Sequence, residues 1–304
     1  LTSDRFFDPN PAQKAAALEL YALISDLPIV SPHGHVDPAL FSTEGRRFGN
    51  PVELLIQPDH YILRMLVSQG LTYEQLLSQE NPRHVWQLFA EHFYVFRGTP
   101  SGVWLTHELE AVFNVTEKLN GDSAARIYDQ IQTALLTPEY SPRNLFKRLN
   151  IEVLATTDSA TDPLLHHQAI RASGWDGRII PTFRPDNVIN LAAPGWNENV
   201  AALSEISGFQ VNDFKSFLRA LEQRRAFFMS LGATASDFGP YQPTTEWLSE
   251  RESEAIFQQA LQGKATEQDT ARFLAHMLCE MARMSTEDGM LMQIHPAVYR
   301  NCNP

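Results

Sequence analysis

The chain has 304 residues, 43% of them hydrophobic and 20% charged, so it can bury a large core without disulfides or a partner. Its formal net charge is −12, from 36 acids against 24 bases, which argues against a general nucleic-acid binder because phosphate neutralisation needs clustered Lys and Arg. A small anionic substrate stays open, since it needs only one or two well-placed arginines.

Residues 1–10 show no basic stretch running into an apolar one, so no signal peptide is expected. No run approaches the ~18 apolar residues of a membrane span. Pro11 opens a predicted helix whose apolar face is assigned to Leu18, Leu20, Tyr21, Leu23 and Ile24, and Pro28 closes it. Residues 29–35, Ile-Val-Ser-Pro-His-Gly-His, read as a strand running into a loop. Residues 51–147 read as mostly helical, a long insertion with apolar positions such as Leu54, Leu55, Leu63, Leu66 and Val67. Residues 151–158 and 178–184 read as a second and third strand. A helix follows around Phe214, Phe217, Leu218, Leu221 and Phe228, stopping at Gly232. Residues 233–237 are a weaker fourth strand. Ser249 with Glu252 makes a capping-box pattern, and Thr266 with Asp269 resembles one. The helix after Thr266 carries Phe273, Leu274, Met277, Leu278 and Met281 on one side, and residues 290–295 form a fifth strand. Cys279 and Cys302 lack C-x-x-C spacing, which supports neither a zinc ribbon nor a disulfide framework and fits a reducing cytoplasm.

Strands separated by helices imply a parallel sheet, and in such folds the site lies at the carboxyl ends of the strands. Those ends carry His33 and His35, Asp158, Arg184, Asp237, and His295 with Arg300. His33 and His35, two apart on a strand, would share a face and can hold one divalent cation; the plainer reading is two unrelated loop histidines. His60 and Tyr61 follow Asp59, itself a candidate helix cap, and are possible acid–base or hydroxyl-contacting groups. Arg184, followed by Pro185, suits a carboxylate or phosphate clamp, or else pairs with Asp186 at the surface. Asp237, His295 and Arg300 can be metal ligands, supports or substrate contacts; equally, Asp237 can be a cap or turn residue and His295 a satisfied buried histidine. No G-x-S-x-G, G-x-x-x-x-G-K-[ST], H-E-x-x-H or G-x-G-x-x-G occurs.

Ser-Pro-His-Gly-His-Val-Asp-Pro at 31–38, Pro-Asp-His-Tyr at 58–61, Phe-Tyr-Val-Phe-Arg-Gly-Thr-Pro at 93–100, Ala-Thr-Thr-Asp at 155–158, Phe-Arg-Pro-Asp at 183–186, and Met-Gln-Ile-His-Pro at 292–296 with Arg300-Asn301 occur in this order along nearly the whole chain. Together they resemble the uronate isomerase family. The resemblance implies an α/β fold, a distorted (β/α)8 TIM-type barrel of the amidohydrolase superfamily with a helical insertion after strand 1, as one metal-dependent domain over residues 1–304. It implies a cytoplasmic aldose–ketose isomerase of hexuronates that needs no nucleic acid or membrane and can form a homo-oligomer. A divalent metal is expected, zinc or alternatively manganese, with His33 and His35 as ligands. Arg184 would hold the substrate carboxylate or neighbouring hydroxyls, His60 and Tyr61 would approach the sugar, and Asp237, His295 and Arg300 would line the pocket. Two departures stand out. The family commonly has His after its Ser-Asp pair, where this chain has Phe238. Its pattern also continues beyond Pro304, to a strand 8 aspartate that completes the metal site, so the natural protein is expected to be longer and this chain to lack the last strands. The rival readings are a metal-dependent hydrolase or decarboxylase of the same superfamily and a non-catalytic sugar-acid binding protein.

Overall fold

The computed structural model describes residues 4–296. Internal contacts divide the chain into two units, one of residues 1–29 with 44–150 and one of residues 30–43 with 151–304.

The first unit is helical. Four of its helices, Pro11–Ile24, Pro51–Leu55, Pro82–Glu91 and Pro100–Ala111, begin the same way. Asn10, Asn50, Asn81 or Thr99 caps the first amides with its side-chain oxygen, and a proline fills the first turn, where no N–H is needed. Asp59 caps the helix His60–Val67 by accepting from Tyr61 N at 2.8 Å and Ile62 N at 3.3 Å, so the capping reading of that residue holds. The core gathers Val52, Ile56, Leu66, Trp86, Phe89, Phe96, Ile127 and Ile131, and Trp86 Nε1 donates to Ala124 O at 2.9 Å. The unit also draws its own chain ends together: Ile29 N donates to Asn150 O at 2.8 Å, and Asn150 Nδ2 to Asp26 O at 3.2 Å.

The Pro11–Ile24 helix forms as predicted, but its assigned apolar face is not buried. No residue of the helix is buried, and Leu18, Leu20, Tyr21, Leu23 and Ile24 are exposed. At about 100° per residue those positions fan over more than half of the helix circumference and cannot share one stripe.

The second unit holds the strands. These are β1 (Ile29–Ser31, whose first residue belongs to the helical unit), β2 (Ile151–Ala155), β3 (Asp158–Ser159), β4 (Arg178–Ile180), β5 (Phe183–Arg184), β6 (Ala235–Phe238) and β7 (Leu291–Ile294). They fall in the orders β1-β2-β4 and β3-β5-β6-β7, with β2–β4, β3–β5, β5–β6 and β6–β7 all parallel. The predicted second and third strands are each interrupted, at residues 156–157 and 181–182. Pro181 can donate no ladder bond there. The ladder resumes across the break, because Thr156 N, Asp158 N and Ala160 N donate to Ile180, Thr182 and Arg184 carbonyls at 2.9, 3.0 and 3.0 Å. The five predicted strand regions therefore lie side by side in chain order.

The predicted helices are present as Phe214–Ser230, Glu250–Leu261 and Glu267–Asp288, the last two with complete capping boxes at Ser249/Glu252 and Thr266/Asp269. Phe217, Leu221, Phe228, Phe257, Phe273, Met277 and Met281 pack with Phe183 of β5 and Phe238 of β6 into one core. No helix among the described residues is long and apolar enough to cross a membrane.

Candidate active site

His33 and His35 follow β1 in an irregular segment rather than standing on the strand itself, since β1 ends at Ser31. Their convergence has a different origin from strand alternation. Gly34 is pressed against the neighbouring strand region: Thr157 Oγ1 donates to Gly34 O at 2.8 Å, and a Cβ on Gly34 would stand 2.8 Å from Ala155 O. With the backbone held there, His33 Nε2 and His35 Nε2 face each other at 3.3 Å. Two nitrogens bonded to one cation at about 2.0–2.1 Å are separated by a similar distance. Both rings are accessible, which a metal site open to substrate requires.

The remaining polar groups come from the ends of β5, β6 and β7. Arg184 Nε donates to Asp186 Oδ2 at 2.8 Å, and its Nη1 lies 3.3 Å from Asp237 Oδ2. Asp186 also accepts from Gly239 N at 3.1 Å. Asp237 is fully buried on β6, with Oδ1 at 2.9 Å from His295 Nδ1 and 3.7 Å from His33 Nδ1. None of these approaches to Asp237 is aligned as a hydrogen bond, and Arg184 brings a full positive charge to this buried carboxylate. Gly239 makes the crowding possible: a Cβ there would meet Arg184 Nη2 at 2.7 Å and His295 Nε2 at 3.1 Å.

His33, His35, Arg184, Asp237 and His295, all proposed from the sequence, are thereby brought together. Asp158 is not among them. It pairs in register with Phe183, a core residue, whereas Ser159 pairs with Arg184, and residues paired on neighbouring strands share a face. Asp158 therefore sits on the helix side of the sheet. Thr156 Oγ1 lies 2.6 Å from its Oδ2 and 2.9 Å from Nε2 of His167 on the helix Leu165–Ala172. Burial raises the Asp158 carboxyl to about 6 and lowers the His167 imidazole to about 4. Phe238, the position where the family commonly has His, also faces away from the cluster, fully buried in the core beside Phe183. His60 and Tyr61 stand at the start of their helix in the helical unit, with rings 4.2 Å apart and Tyr61 exposed. Arg300 lies outside the described residues. The sequence reading missed Gln293, whose Oε1 is 3.1 Å from His33 Nδ1; its place two residues before His295, on the same strand face, was the available signal.

The fit of a divalent cation follows from the donor set. Two imidazole nitrogens converge beside a buried carboxylate that lacks aligned donors, and imidazole suits zinc. Among the described residues no group of three or more His, Cys, Asp or Glu side chains is arranged to hold a metal ion, and a cation here would take its protein nitrogens from the His33–His35 pair.

Residues 5–304 match the family model described as glucuronate isomerase. The uronate isomerase of Nostoc punctiforme is 51% identical over 311 residues, covering 100% of this chain and 66% of that protein. The uronate isomerase of Caulobacter vibrioides is 45% identical over 307 residues, covering 99% of this chain and 63% of its own length. The crystal structure of glucuronate isomerase from Caulobacter crescentus superposes with a TM-score of 0.96 at 45% identity, over 100% of this chain and 64% of that one. Uronate isomerase from Thermotoga maritima gives 0.89 at 28% identity, over 97% and 64%. The chain spans just under two thirds of the length of these relatives.

Proposed function

The chain belongs to the glucuronate isomerase family, and from that premise we propose that it acts in hexuronate isomerisation, converting D-glucuronate to D-fructuronate or D-galacturonate to D-tagaturonate. The observation that carries this reading is the meeting of His33, His35, Arg184, Asp237 and His295 at the carboxyl ends of the parallel strands. The run of strands in chain order favours reading the sheet as part of a distorted (β/α)8 barrel of the amidohydrolase superfamily.

The local charge supports a metal. Two carboxylates, Asp186 and Asp237, face one guanidinium, and that balance does not attract a uronate. A divalent cation held by His33 and His35, zinc or alternatively manganese, reverses it. When bound it polarises sugar oxygens and stabilises negative charge.

The chain's own residues have distinct tasks. Isomerisation moves a proton from C2 to C1 through a cis-enediol, with negative charge growing on O1 and O2. Arg184, fixed by Asp186 and Asp237, supplies positive charge for the substrate carboxylate or the enediolate. His295 is partly exposed, with buried Asp237 beside its Nδ1. That carboxylate favours the proton on Nδ1 and leaves Nε2 to exchange a proton with the sugar. His60, Tyr61 and Arg300 are read as further sugar contacts on the strength of the family motifs.

The test is keto-sugar formation from glucuronate and galacturonate, before and after chelation, with Arg184→Met as a control. Turnover is expected to fall on chelation and return with metal. The variant is expected to lose about 2–3 kcal/mol of transition-state binding with the uronate and less with the neutral aldose. Equal losses on both sugars would make Arg184 structural. Hydrolysis or decarboxylation without isomerisation would replace the reading with the superfamily rival, and tight binding without turnover would favour a sugar-acid binding protein.

A further inference from the structure

Gln293 on β7 makes two contacts whose order matters. Its Nε2 donates to Pro32 O at 3.0 Å, and its Oε1 lies 3.1 Å from His33 Nδ1. The carbonyl of Pro32 can only accept, so it fixes which end of the carboxamide faces it. The amide oxygen is then the end turned to His33. That oxygen can only accept, so the His33 nitrogen opposite it must carry a proton. A neutral imidazole protonated on Nδ1 has its lone pair on Nε2, the atom facing His35 Nε2 at 3.3 Å. Asp237 Oδ1, at 3.7 Å from the same Nδ1, is too distant to do this work.

We propose that Gln293 is a positioning residue that locks His33 in its Nδ1-protonated tautomer, with Pro32 O as the anchor, and so presents the Nε2 lone pair to a divalent cation. The proposal rests on the metal reading of the histidine pair. The hydrogen bond to a ligand's second nitrogen sets its tautomer and ring orientation, and losing such a partner typically weakens metal binding by about 10–100-fold. The partner is commonly a carboxylate, a backbone carbonyl or water. Here it is a side-chain amide, which orients the ring without adding charge to a site that already holds two carboxylates.

The experiment uses side-chain nitrogen NMR of the metal-free protein labelled at histidine, together with Zn²⁺ titration against a competing chelator. The wild type is expected to show His33 protonated on Nδ1. Gln293→Met, which keeps the bulk but has neither the amide donor nor a strong acceptor, is expected to lose that signature and bind Zn²⁺ about 10–100-fold more weakly at unchanged melting temperature. Gln293→Glu retains an acceptor for Nδ1–H and is expected to keep the tautomer. Wild-type His33 protonated on Nε2, or Gln293→Met retaining both the tautomer and the Zn²⁺ affinity, would overturn the proposal. The correct tautomer in a wild type that binds no Zn²⁺ would sink the metal reading while upholding the Gln293–His33 lock, so the two failures are separable.

Discussion

Phe238 shows how far a single residue's neighbourhood governs its meaning. Beside Asp237 in sequence, it points the opposite way on β6, into a core built mainly of apolar side chains. Phe238→His is therefore expected to cost at least about 2 kcal/mol of stability, as an unpaired polar group does in a dry core. Turnover per folded molecule should stay unchanged and gain no new titration near pH ~6.5. Urea denaturation beside a pH–rate profile checks both; higher turnover with a new pH dependence would return position 238 to the site. His33, His35, Arg184, Asp237 and His295 were legible because each closes an apolar run. Gln293 gave one local signal, its place two residues before His295, but its role lies in a contact with His33 across 260 residues of chain. His33 and His35 were found by the right spacing for the wrong cause: the backbone seat of Gly34 against Ala155, not strand alternation, brings their nitrogens together.

Among the elements, the ladder that continues from β2 into β3 keeps Asp158 on the face of Thr156, toward the helix Leu165–Ala172. Sequence reasoning counted Asp158 with the site because it ends an apolar run, but a shift of one residue along a strand changes the face. The resulting pair with His167 has a consequence for stability. Burial raises the folded Asp158 from 3.8 to about 6, so its contribution is full at low pH and is lost as pH rises toward 6. Burial lowers the folded His167 from 6.5 to about 4, so its contribution is full above 6.5 and is lost as pH falls toward 4. Between pH 4 and 6 the unfolded chain holds its proton on histidine and the folded chain holds it on aspartate, so the two slopes oppose each other. Removing the acid leaves only the histidine slope. Asp158→Asn is expected to gain stability from pH 4 to 6.5 relative to wild type, read as a rising denaturation midpoint. Parallel midpoints for the two proteins across that range would refute the neutral pair. The helices were the most legible elements, since proline after Asn or Thr and the two capping boxes mark their starts. The exposed side chains of Pro11–Ile24 were misjudged because apolar content was read without its angular spread.

On the scale of the whole molecule, the unit that carries the histidine cluster is assembled from two separate stretches, residues 30–43 and 151–304. β1 and β2 are neighbours in the sheet although residues 44–150 come between them. A disordered chain would have to close that loop at an entropic cost of about 4 kcal/mol. The helical unit can meet that cost within its own folding, because it ends with Ile29 N bonded to Asn150 O, the two points from which β1 and β2 leave. Its local contacts should form early, whereas the sheet pairs residues far apart. Trp86→Ala, expected to cost about 3–5 kcal/mol in the helical core, should therefore delay hydrogen-exchange protection of the amides in β2 and β4 during refolding. Protection of those strands at the wild-type rate would show that the sheet nucleates alone. In kinetic terms the inserted helices act as an intramolecular template, and residues that touch no sugar would set how quickly the paired histidines come into being.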